Sequence, residues 1–163
     1  MSSRARWYLL AVAVVLADQV TKWLVLGAFR PGEVRELTPF FNLVLVFNKG
    51  AAFSFLAGAG GWQTPLLAGF ALLASVIVGV LIWRNTGKRL FCLGLALVLG
   101  GALGNLIDRV RFGQVVDFLD VHALGWHWPA FNVADSGISV GAVLLIVESF
   151  LGDEKSKRPR PAS

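Results

Sequence analysis

Asp117 and Asp135 stand 18 residues apart in a chain that is otherwise suited to lipid. Asp117 lies in Val115-Val116-Asp117-Phe118, a run of strand-like character, and Asp135 lies in Phe131-Asn132-Val133-Ala134-Asp135, at the start of a long apolar segment. A carboxylate held near hydrocarbon costs roughly 2.5–3.5 kcal/mol on insertion scales, so an aspartate there is a functional candidate by default. Two of them brought together can share one proton and activate water, which is the chemistry of an aspartic peptidase. Asp135 also has a plainer reading. Asn132 is a good N-cap, and an acid three residues later makes a capping-box helix start with no catalysis. The two readings are compatible, because the helix N-terminus favours a negative charge at Asp135. That charge would raise the pKa of a nearby Asp117, giving the asymmetry an acid–base pair requires, although the pair titrates as a unit.

The elements that must position these acids follow from composition. Of 163 residues, 56% are hydrophobic and only 15% charged, with a mean hydropathy of +0.68. Soluble domains carry about 25% charged residues, so the chain belongs in a membrane. Four apolar stretches, approximately 7–26, 65–83, 90–107 and 133–151, approach the roughly 20 residues a spanning helix needs. They take up about half the chain and leave no room for a separate soluble domain, so residues 1–163 read as one polytopic α-helical membrane domain. The net charge of +5 is spread by topology and does not call for nucleic acid. Arg4 and Arg6, then Arg84, Lys88 and Arg89, then Lys155, Lys157, Arg158 and Arg160 account for 9 of the 15 Lys and Arg. All three groups fall on one side, which the positive-inside rule makes the cytoplasm, with both termini there. Segments 27–64 and 108–132 then face outward. A cleavable signal peptide ending near Val15-Leu16-Ala17 is the alternative for the N-terminus, but apolar character resumes at Trp23-Leu24-Val25-Leu26.

The outer segments are not plain loop. Arg30-Pro31-Gly32-Glu33 is a turn signal, and 37–47, rich in Phe, Val and Leu, reads as strand broken by Pro39 and Asn42. Residues 51–56 form a candidate second strand ahead of the flexible Gly58-Ala59-Gly60-Gly61, and Trp126-His127-Trp128-Pro129 suits the headgroup layer. Open strand edges are not tolerated in hydrocarbon, which places this β element at the outer surface. The basic tail, 152–163, is expected to be disordered.

Three of the spans carry polar residues towards their outer ends. Asp18, Thr21 and Lys22 share one helical face, where the bland reading is a self-neutralising Asp–Lys pair. Gly101, Asn105 and Asp108 fall at i, i+4 and i+7, beside Gly100, Gly104 and Arg109. The glycines alone could serve close helix packing, but Asp108 near a helix C-terminus is opposed by the dipole and needs a partner, for which Arg109 is the candidate. Asp120 reads as an ordinary loop residue whose change to Asn spares most activity, and Glu148 lies near the cytoplasmic end. His122 and His127 lack the spacing of a metal site, and Ser54, Ser136 and Ser139 lack a GxSxG-like setting. No cofactor is called for. Cys92, the lone cysteine, reads as a small packed residue.

Five blocks in order carry a resemblance over nearly the whole chain: Asp18-Gln19-Val20-Thr21-Lys22; Asn48-Lys49-Gly50-Ala51-Ala52-Phe53; Gly100-Gly101-Ala102-Leu103-Gly104-Asn105-Leu106-Ile107-Asp108-Arg109; Val115-Val116-Asp117-Phe118; and Phe131-Asn132-Val133-Ala134-Asp135. The chain resembles the lipoprotein signal peptidases, the bacterial membrane aspartic peptidases. The resemblance implies four transmembrane helices with a small extracytoplasmic β-rich cradle, in the bacterial cytoplasmic membrane. It implies Asp117 and Asp135 as the catalytic dyad, lined or supported by Asp18, Lys22, Asn48, Gly101, Asn105, Asp108, Arg109, Asn132 and Val133. The implied substrate is a prolipoprotein whose lipobox cysteine carries diacylglyceryl, cut just before that cysteine, and the resemblance implies inhibition of the enzyme by globomycin, a cyclic peptide that occupies the site. Membrane lipids are its other implied partners. A small proton-coupled transporter using the same carboxylates is the alternative from another class, which four spans without a repeat disfavour.

Overall fold

Apolar runs too long for a globular core, flanked by charge, become four helices. The computed structural model describes residues 3–50 and 61–157 and has α1 (Ser3–Ala28), α2 (Gln63–Arg84), α3 (Arg89–Phe112) and α4 (Val133–Lys157). Each is long and apolar enough to cross a membrane. In α1 the helix runs unbroken through Val15-Leu16-Ala17. α4 continues past 151, so residues 152–157, expected in the tail, are helical. Residues 158–163 lie outside the described residues, as do the candidate strand 51–56 and Gly58, Ala59 and Gly60 of the glycine run.

α3 is the central helix and packs against the other three. Gly100 faces Val14 and the Ala11 carbonyl of α1, while a side chain at Gly101 would collide with the Ala134 carbonyl of α4. Hydrocarbon gives helices no hydrophobic reason to associate, so close backbone approach at small residues, with its dispersion contacts, does that work. The outward faces are apolar: Phe70, Leu73, Val76, Ile77 and Val80 of α2 are all exposed. The Arg4 guanidinium sits 4.3 Å from the Trp83 ring, so the start of α1 and the end of α2 occupy the same end of the bundle.

At the other end lies a four-stranded antiparallel sheet in chain order, β1 (Val34–Thr38), β2 (Phe41–Asn48), β3 (Val115–Ala123) and β4 (Trp126–His127). The expected single strand over 37–47 is instead a hairpin. Its chain reverses at Pro39-Phe40, because proline gives no N–H to a ladder and favours turns. Asn42 does not interrupt β2, because its side chain finds a partner across the sheet. Between Leu43 and Val46, β2 holds one residue more than β3 opposite. This bulge lets consecutive Val44 and Leu45 both be buried, and it sits beside Val46, the cross-strand partner of Asp117. Val25, Leu45, Val116 and Phe118 form the small core that joins the sheet to α1.

Candidate active site

Asp18 and Lys22, one turn apart on α1, make the local ion pair their spacing foretells, with Nζ 2.8 Å from Asp18 Oδ2. The pair is not self-contained. Lys22 Nζ also lies 2.7 Å from Asp108 Oδ2 and donates to Asn105 Oδ1 at 3.1 Å, so the three ammonium donors meet three acceptors. Lys22 is only 2% exposed. The expected Asp108–Arg109 pair is therefore corrected. Successive residues on a helix point about 100° apart, and Asp108 turns towards α1 while Arg109 donates to the Asn105 carbonyl at 3.3 Å and the Gly50 carbonyl at 3.0 Å. Thr21 also leaves the expected cluster: its hydroxyl donates to the Ala17 and Asp18 carbonyls of its own helix.

The ion cluster holds backbone as well. Asp18 Oδ1 accepts from the Ala134 amide at 2.9 Å, at the N-terminus of α4, and Asp108 Oδ2 accepts from the Val116 amide at 3.1 Å, at the start of β3. Two buried acids thus fix the two segments that carry Asp117 and Asp135. Gly104 leaves room for Asp18, whose carboxylate fills the place a Cβ would occupy. Gln19 was not singled out in the sequence, yet its Nε2 donates to Asp108 Oδ1 at 2.9 Å and reaches Asp18 and the Gly104 carbonyl at 3.2 Å. The available signal was an amide side chain within the Asp18–Lys22 block.

Asparagines then aim the two candidate acids. Asn132 Nδ2 donates to Asp117 Oδ1 at 2.7 Å and Asn48 Nδ2 to Asp117 Oδ2 at 3.1 Å. Asn105 Nδ2 donates to Asp135 Oδ1 at 2.8 Å, so Asn105 sits between the buried ammonium and Asp135. The capping reading of Asp135 also holds. Its amide donates to Asn132 Oδ1 at 2.9 Å, and the Asn132 amide returns a bond to Asp135 Oδ2 at 3.3 Å. Val133 packs on the sheet–α1 core. Asp117 is 2% exposed, and burial, followed by the nearby Asp135 carboxylate, raises it to about 7. Hydrogen bonds from Asn48 and Asn132 and the Lys22 charge oppose that rise.

Both acids line a cavity of about 430 Å³. Asn48, Asn105 and Arg109 supply its polar wall, α4 contributes Ile138 and Val140, and a strap at 128–131 closes one side. The strap was not anticipated as part of the site, since Trp128 read as a headgroup anchor. Asp120, expected in a loop, is instead buried in β3 and bonded to Asn42 and His127, away from the cavity. A polar pair of acids in a largely apolar cleft can hold a water and an extended peptide with an apolar attachment.

A lipoprotein signal peptidase of Ralstonia nicotianae is 57% identical over 142 residues, 87% of this chain and 82% of that protein. One of Paraburkholderia phytofirmans is 53% identical over 146 residues, 90% and 85% of the two chains. A bacterial membrane enzyme solved by the in meso method at 2.3 Å superposes with a TM-score of 0.84 at 31% identity, covering 98% of this chain and 95% of that one. A second, solved at 1.9 Å, gives 0.75 at 33% identity, covering 88% and 92%. The family model described as signal peptidase (SPase) II matches residues 10–151, and the chain belongs to that family.

Proposed function

We propose that this chain is an aspartic endopeptidase that frees prolipoproteins of their signal peptides, cutting just before a cysteine that carries diacylglyceryl. The observation that carries the reading is one cavity lined by both Asp117 and Asp135, each held by an asparagine amide from a neighbouring element. The carboxylate that is ionised takes a proton from water as its oxygen adds to the scissile carbonyl carbon; the carboxyl that is protonated donates to the developing oxyanion. As the C–N bond breaks, the proton passes to the leaving nitrogen. Arg109 does not react; it ties α3 to the Gly50 carbonyl, next to Asn48. The clustering of basic residues supports cytoplasmic termini in a bacterial inner membrane, with the cavity towards the outer face. A globomycin-type cyclic peptide would compete for the same cavity. Nothing in the geometry favours the transporter.

Purified protein in detergent, given a peptide with a diacylglyceryl-modified lipobox cysteine, is expected to cleave it at the bond before that cysteine. The unmodified peptide should be a much poorer substrate. Because the proposed chemistry uses no cofactor, turnover should survive a chelator. Equal turnover of both peptides, or cleavage elsewhere, would overturn the reading.

The raised pKa of Asp117 sets a pH dependence. Above about 7 the pair loses the proton it shares, so kcat/KM should fall by about tenfold per pH unit there. The same group tilts stability in a defined direction. Its folded pKa lies above the unfolded value of 3.8, so its contribution is complete below about 4 and is lost as pH rises through about 7. A pH–rate profile beside thermal melts in the same buffers checks both; a rate flat from pH 6 to 9 contradicts the assignment.

A further inference from the structure

Three strands meet at a buried acid outside the catalytic cavity. Asp120 of β3 is 6% exposed, and its Oδ2 accepts from Asn42 Nδ2 of β2 at 2.8 Å. His127 Nδ1 of β4 lies 2.9 Å from the same oxygen and 3.0 Å from its twin. Burial raises the pKa of Asp120, but the bonds from His127 and Asn42 outweigh it and hold the carboxyl below its ordinary range. The acid is therefore an acceptor, and His127 must carry a proton on Nδ1. His122, the cross-strand partner of His127, stacks on it with ring centroids 4.7 Å apart. Its Nε2 lies 3.3 Å from Asn42 Oδ1, so the four side chains form one closed network.

This network holds an element that backbone pairing alone holds weakly. β4 has two residues, joined to β3 through the two-residue turn Leu124-Gly125, where both φ angles are positive at 52° and 80°. Directly after it comes the strap that walls the cavity through Trp128, Pro129, Ala130 and Phe131. The far end of the strap is gripped firmly. The Phe118 and Leu119 amides both donate to the Phe131 carbonyl, at 3.0 and 2.8 Å, and the Phe131 amide donates to Leu119 at 3.0 Å. The near end has the Trp128 amide on the Val121 carbonyl at 2.8 Å and, one residue earlier, the His127–Asp120 bond.

We infer that Asp120, Asn42 and His127 are positioning residues for substrate: they clamp the β3–β4 hairpin and so set the strap as the wall against which the peptide is bound. The inference rests on the cavity being the peptidase site. The strap touches ground state and transition state alike, so loosening it weakens binding uniformly and leaves the chemistry, which Asn48, Asn105 and Asn132 orient, unchanged.

The test is a KM-against-kcat split on the lipidated peptide. His127→Phe keeps a ring for His122 to stack on but removes the donor, and should raise KM roughly five- to tenfold with kcat within twofold. His127→Asn places an amide nitrogen near the Nδ1 position and should restore KM to within twofold of the parent. A merely structural role would lower active fraction and leave KM alone. Unchanged KM in H127F, an equal rise in H127N, or loss of kcat instead of KM would each overturn the inference. Asn42→Ala, which removes the other donor from Asp120, is read the same way if H127F does not fold. Turnover by the parent protein tests the peptidase reading separately, so the two failures are distinguishable.

Discussion

Asp117→Asn is expected to lower cleavage of the lipidated peptide by roughly 10²–10⁴-fold, the usual reach of a positioned acid or base, in a protein that still folds. The fold should survive because the substituted amide remains polar and close in shape. It can accept from Asn132 or Asn48 through its one oxygen, while its nitrogen faces the other donor, so one hydrogen bond is exchanged for a reorientation. The carboxylate–carboxylate repulsion disappears with it. Above pH 7 the variant should therefore melt no lower than the parent, and the fall in stability with rising pH traced above should flatten. Asp135→Asn should be as inactive. It is the sharper experiment of the two, because asparagine can still accept from the Asn132 amide and the helix start stays capped. Loss of turnover without loss of melting temperature separates catalysis from capping at this residue. Glu148→Gln, on α4 but outside the cavity, serves as the carboxylate control and should keep full turnover. Appreciable cleavage by either dyad variant sinks the mechanism.

Lys22→Met should cost more in stability than any other single change considered. It leaves the buried Asp18 and Asp108 facing one another without the ammonium between them, and removing one partner of a buried ion pair typically costs about 3–5 kcal/mol. The damage reaches function by a traceable route. Asp18 holds the Ala134 amide and Asp108 the Val116 amide, so repulsion between these acids displaces the starts of α4 and β3 together. Asn105, no longer held by the ammonium, can rotate away from Asp135. Neutralising one acid in the double variant Lys22→Met/Asp108→Asn should recover part of the loss. Thermal melting in detergent with size-exclusion profiles decides: a single variant that melts within a degree or two of the parent shows that the ammonium is dispensable.

Much of the architecture was legible because lipid leaves the backbone few choices. A spanning segment must satisfy its own hydrogen bonds, so length and hydropathy alone locate α1 to α4 to within a turn or so at most ends. The main misjudged end is that of α4, which runs on into charged residues that composition assigns to the tail. The sheet was less legible. Pro39 was seen as a break, but a break inside one strand and a turn between two look alike until the partner strands are known. Asn42 looked like a second break for the same reason; its amide is used on Asp120, 78 residues away.

For the site, the division runs along sequence distance. The sequence by itself determined the four apolar helices, a β element between them, the Asp18–Lys22 pair and the Asn132–Asp135 cap, all of which depend on periodicity or on neighbours within a turn. Through the five ordered blocks it also singled out Asp117 and Asp135 among several similar acids. Only the tertiary structure decided what each acid is paired with. Asp108 takes Lys22 in place of its neighbour Arg109, Asp120 takes His127, and Asp117 is left, among the described residues, with two neutral amides and no ion pair. The physical reason is that a buried carboxylate's protonation is set by the charges and donors that packing brings to it. Here those arrive from helices and strands far apart in the chain. Asp117 retains a proton to about pH 7 because burial and Asp135 reach it together, and no local pattern in the sequence carries that information.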